Sequence, residues 1–91
     1  MPQAVVDPDE LRQFAQKLKK FNTDLRDRMV ALNNQLTALG ATWRDQEQKR
    51  FTEEYDEHMK LMGRFLEQSE RHVPYLLRKA DQIDEYLQSG G

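Results

Sequence analysis

The chain has no cysteine, so disulfides and thiolate metal sites are excluded from the start. Glycine and proline are scarce, with four and three in 91 residues, and aromatic residues make up only 9%. Such a sequence has little with which to build tight turns or β-structure, and nothing in it alternates with the two-residue period of a strand. No apolar run approaches the roughly 20 residues needed to span a bilayer, so stable membrane insertion is not expected. The opening "MPQAVVDPDE" lacks the charged-then-apolar layout of a cleavable secretory signal. If the protein leaves the cell, the general secretory route is not the expected one. Basic excess is missing too: a net charge of −2 argues against a nucleic-acid partner.

What is present is charge and helical period. Charged residues reach 33% against 37% apolar, a balance typical of long amphipathic helices. Apolar residues recur at Leu11, Phe14, Leu18, Phe21, Leu25, Met29, Leu32, Leu36 and Leu39, in steps of three and four with one stutter near Leu25. Asp7 is placed to cap this segment and Pro8 suits the first helical position. The spacing predicts a helix over 8–39. Gly40 then stands where a left-handed C′ residue is expected, and Thr42 where the next helix is capped. A turn of 40–42 folds the chain back on itself. The second helix is expected over 43–73, with its seam at Phe51, Tyr55, His58, Met62, Leu66, Ser69, Val73, Leu76, Ala80, Ile83 and Leu87. Pro74 is expected to kink or end the pairing opposite Asp9. Residues 75–88 would follow as a helical overhang, and "SGG" as a loose tip.

The sequence is thus all-α: a single antiparallel helix-turn-helix hairpin. Its apolar stripe is wider than one contact line, since Met59, Leu61, Phe65 and Leu77 lie beside the seam. Two hairpins joined as a dimeric four-helix bundle would cover them. The expected interface comprises Phe14, Leu18, Phe21, Leu25, Met29, Leu32, Tyr55, His58, Met62, Leu66 and Val73. Under this register the acidic "EEYDE" at 53–57 faces Arg26 and Arg28.

Chemistry is harder to find. His58 and His72 are 14 residues apart, about 21 Å along a helix, and cannot share a metal within one chain. Ser69 has no base or nucleophile turn beside it. The acidic run lies on a continuous helix, which cannot wrap a calcium ion. Gly40 and Gly63 stand alone, without a phosphate-binding loop. No cofactor, no metal and no catalysis are expected.

The turn carries the most specific feature. "LGATWRDQEQKRF" places the only tryptophan, Trp43, between two long helices, with Phe51 eight residues on. This layout resembles the WXG superfamily, the early secreted antigenic target-like helical hairpins exported by type VII secretion systems. Two positions depart from the family pattern. Trp-X-Gly is Trp43-Arg44-Asp45 here. The Tyr-x-x-x-Asp/Glu tail signal of some members is absent, because Lys79 follows Tyr75 and Gly90 follows Tyr86. The resemblance implies secretion without a cleavable signal peptide and a homodimer or paralogous heterodimer as the working unit. It also implies docking of Trp43, with Arg44, Asp45 and Phe51, beside a partner's terminal segment, here Pro74, Tyr75, Leu76 and Leu77. A membrane-associated motor ATPase would read that composite end. The reading from a different class is an intracellular coiled-coil scaffold or chaperone that shares the hairpin.

Overall fold

The computed structural model describes residues 6–89 and contains two helices, α1 (Pro8–Leu39) and α2 (Gln46–Ser89), packed side by side as an antiparallel hairpin. The expected loose tip at "SGG" lies largely outside the described residues. The hairpin is a rod of 68 × 22 × 15 Å, and its long dimension matches the 44 residues of α2 at about 1.5 Å each. Asp7 caps α1, its carboxylate accepting the Asp9 N–H at 2.8 Å, while Pro8 occupies the first turn.

The turn differs from the expected three residues. Gly40 is right-handed, φ −61° and ψ −15°, so it is not the left-handed C′ residue expected at the end of α1. The chain instead tightens, with Ala41 N donating to Ala38 O and Thr42 N to Leu39 O, each at 3.1 Å. The Thr42 hydroxyl also donates back, to Leu39 O at 3.4 Å. Thr42 therefore finishes α1 and does not start α2. The cap of α2 is Asp45, whose carboxylate accepts the Gln48 N–H at 3.0 Å. This places Trp43, Arg44 and Asp45 in the connection, and α2 begins at Gln46, three residues later than the spacing suggests.

That shift moves the whole register. Asn22 meets Ser69, and Tyr55 meets Asn33. Pro74 consequently lies level with roughly residue 17, not with Asp9. Nor does it end anything: α2 runs unbroken through it. Proline removes the N–H that would bond the Glu70 carbonyl, but buried neighbours on both sides, Leu66, Val73 and Ala80, hold the helix against α1. Residues 75–88 are no overhang, because Asp81 and Asp84 both bind Arg12 near the start of α1.

The seam itself is more regular than expected. On α1 the inward line is Pro8, Leu11, Ala15, Leu18, Asn22, Leu25, Met29 and Leu36. Up to Met29 this is strict three-four alternation without a stutter. Ala15 and Asn22 replace the expected Phe14 and Phe21, which are 55% and 51% exposed. Two helices with no third neighbour approach closely where small residues meet, and a phenylalanine on that line would hold them apart. The same correction applies on α2. Thr52 and Met59 face inward in place of Phe51 and His58, both exposed. Leu32 and Met62, expected on the seam, are also exposed.

Burial is uneven along the rod. Among the described residues, every buried one lies in 8–22 or 66–80, away from the turn. In the turn half the helices leave a cleft of about 720 Å³, lined by Met29, Asn33, Leu36, Tyr55 and Met59 among others.

A two-faced hairpin with an aromatic tip

The turn builds an aromatic ladder. Trp43 is half-buried and its ring centroid lies 5.7 Å from that of Phe51, tilted by 42°. Phe51 in turn stacks on Tyr55 at 6.0 Å, and the Tyr55 hydroxyl donates to Asn33 Oδ1 at 2.6 Å. The ladder thus starts in the connection, climbs one edge of α2 and is tied to α1. Arg44 Nε donates to the Gly40 carbonyl at 3.3 Å, satisfying an acceptor that the end of α1 leaves free. Trp43 and Phe51, eight residues apart in the turn motif, are thus in ring contact. Asp45 has a function of its own: the residue standing where the family pattern has glycine is the cap that sets the start of α2.

Along the rod, the hairpin has two unlike faces. One groove is lined by Phe14, Leu18, Phe65, His72, Tyr75 and Leu76, with Gln68 and Ser69. Phe14, Phe65 and Tyr75 are each half or more exposed. Phe21 follows Phe14 by seven residues, which puts it on the same edge of α1. The groove on the other side is lined by Gln16, Lys19, Asn22, Thr23, Glu70, Val73, Pro74 and Leu77. Here charges close the surface. Arg26 makes a two-pronged contact with Glu70, 2.9 Å to Oε1 and 3.0 Å to Oε2. The Arg12 guanidinium binds Asp81 at 2.7 Å and Asp84. Hydrogen bonds from Asp81 first, then Asp84, raise the Arg12 pKa further above its usual high value. The expected ion pairing of "EEYDE" with Arg26 and Arg28 does not form, because the register shift brings Glu70 to Arg26 instead.

Between the faces lies a buried polar contact that the apolar pattern conceals. The Ser69 hydroxyl donates to Asn22 Oδ1 at 2.7 Å, and both residues are almost completely buried. The Asn22 amide nitrogen has no partner. A buried unsatisfied donor costs about 1–3 kcal/mol, so this contact favours one register over close packing. Its sequence signal is the strict heptad line through Ala15 and Asn22, visible only when the larger phenylalanines beside it are set aside.

The site residues therefore separate by position. Trp43, Arg44, Asp45 and Phe51 form the tip, with Gly40 and Thr42 beneath it. Leu18, Leu25, Met29, Tyr55, Leu66 and Val73 lie on the seam within the hairpin. Phe14, Phe21, Leu32, His58 and Met62 remain on the surface. Tyr75 and Leu76 line the apolar groove, whereas Leu77 and Pro74 turn to the ion-paired face. Among the described residues no group of three or more His, Cys, Asp or Glu is placed to hold a metal, and no helix is long and apolar enough to cross a membrane.

The described residues thus form an all-helical hairpin with a tryptophan in its turn and one uncovered apolar face. The chain belongs to the WXG100 family, "Proteins of 100 residues with WXG", which it matches over residues 3–86. No curated protein and no solved structure matches it. Members of this family are small, non-enzymatic helical proteins linked to type VII secretion, and they typically pair as homo- or heterodimers. Their route of secretion uses no signal peptide.

Proposed function

We propose that this protein is a substrate or adaptor of a type VII-like secretion system, acting as one half of a dimeric four-helix bundle. The observation that carries the reading is the one-sided exposure of Phe14, Phe21 and Phe65, each about half exposed on the same face of the hairpin. Uncovered apolar surface costs about 25 cal/mol per Å², and a second hairpin on this face removes that cost. Tyr75 and Leu76 border the same face, so an antiparallel partner brings its tip towards them. Trp43 is braced by Phe51 on one side and keeps its other side for contact, the arrangement of a docking anchor. The composite of one tip and the other chain's terminal helix is the surface offered to a motor ATPase.

Light scattering on the purified chain, alone and with any co-expressed paralogue, is expected to give twice the hairpin mass. Trp43→Ala is expected to preserve the helical circular dichroism and the dimer while reducing export into the culture medium. Retention of both wild type and variant inside cells that possess a functioning type VII system would overturn the secretion reading and leave an intracellular scaffold.

A further inference from the structure

The ion-paired side of the hairpin is bridged where Arg26 reaches Glu70. Towards the turn the same side parts into the cleft of about 720 Å³, which Asp56 and Lys60 also line. Heptad spacing fixes the side on which this cleft lies. Asn33 and Gly40 continue the edge of Lys19 and Arg26, and Asp56 precedes Glu70 by two heptads. The cleft therefore faces away from Phe14 and Phe65, and a partner on the apolar groove leaves it uncovered. Its floor is Met29, Leu36 and Met59, all partly buried. Methionine side chains bend to fit what meets them. On α1 the cleft spans 29–40, about 17 Å at 1.5 Å per residue, or three helical turns.

Charge is divided unevenly across it. From Met29 to Leu39, α1 carries no charged residue. On α2, Asp56 lines the cleft and Glu53 lies beside it, one heptad before the lining Lys60. Neither carboxylate has an ion-pair partner among the described residues. Lys60 leans away, to Glu57 at 3.5 Å. Gly63 extends the same edge, midway between Asp56 and Glu70. A glycine inside a helix costs about 1 kcal/mol against alanine. Nothing in the hairpin requires one here, because a Cβ at Gly63 would meet no atom within 4 Å. The gap admits a close approach from outside.

We infer that this cleft is a docking groove for a third helix, a basic amphipathic segment of another protein. Its apolar side chains cover Met29, Leu36 and Met59, and its Lys or Arg residues pair with Glu53 and Asp56. Its backbone passes closest at Gly63. A helix laid into a groove between two others uses the packing of a bundle. The acidic wall selects a basic partner, whereas this chain has a net charge of −2. Because the groove lies opposite the proposed pairing face, both can be occupied at once.

The test is a fluorescein-labelled peptide of about four helical turns, leucine on one face and lysine on the other, titrated with the full chain. It is expected to bind, more weakly as salt is added, and to shift backbone amide resonances in 29–40 and 52–63. The same peptide with glutamate in place of lysine is expected not to bind. Asp56→Lys is expected to weaken binding about tenfold. Gly63→Leu is expected to abolish binding while raising the thermal midpoint, a combination that damage to the fold does not produce. Phe65→Glu is expected to bind as the wild type does. The proposal is overturned if neither peptide binds, if both bind alike, or if Gly63→Leu binds unchanged. Shifts centred on Phe14 and Phe65 overturn it too. Shifts in 29–40 on raising the protein concentration alone would give the groove to a second copy and likewise overturn it.

Discussion

The same two helices make one face of this hairpin charged and closed, the other apolar and open. On the first, Arg12 and Arg26 reach across to Asp81, Asp84 and Glu70, spending their hydrogen-bonding capacity inside the chain. On the second, Phe14, Phe21, Leu61 and Phe65 are half exposed or more, and no element among the described residues covers them. The difference teaches that a two-helix rod does not need to be symmetric about its seam. Cross-helix ion pairs steady one side, and the exposed phenylalanines Phe14 and Phe65 lie on the other.

The largest expected effect lies on the seam that both faces share. Leu66 is the largest fully buried side chain, and Leu66→Ala is expected to cost about 2–5 kcal/mol, seen as a large fall in the thermal midpoint. Pro74→Ala comes next and acts in the opposite sense. It restores the backbone donor to the Glu70 carbonyl inside a helix that is already continuous, a gain of up to about 3 kcal/mol; a helix weakened by the change would mean that proline shapes the ion-paired groove. A double-mutant cycle through Asn22→Ala and Ser69→Ala is expected to show coupling of about 1 kcal/mol.

Two further substitutions separate the faces. Phe65→Glu is expected to leave the hairpin helical while halving the mass in light scattering; a dimer that survives it pairs through the other face. Arg26→Ala is expected to leave the mass unchanged and to cost at most about 1 kcal/mol, a loss that shrinks as salt is added. If Arg26→Ala dissociated the dimer instead, the division between an open and a closed face would fail.

Much of this was legible in residue spacing. Asp7 and Pro8 mark the start of α1, and the threes and fours of its apolar residues give its extent. The tryptophan in the turn marks the family. The seam was harder to read for a specific reason. Phe14 and Ala15 are neighbours, as are Phe21 and Asn22, and each pair offers one large apolar and one small residue about 100° apart around the helix. Hydrophobicity selects the phenylalanines. Close approach of two helices selects Ala15 and Asn22, and only the second choice can be packed. The turn misled in a similar way, since Thr42 and Asp45 are both good caps and only one of them sits at the first turn of α2. The Arg12 contacts depended on that choice, because each residue of shift in the turn moves every facing pair.

The sequence by itself determined an all-helical hairpin of two long amphipathic helices, because local period, capping residues and the scarcity of turn formers all agree. Its membership of the WXG100 family rests on the sequence as well. Tertiary structure alone decided where the second helix starts, which of two adjacent positions faces inward, and hence which apolar residues remain outside. Those are questions of distance between two helices, and a periodic pattern carries directions around a helix but no distance between them.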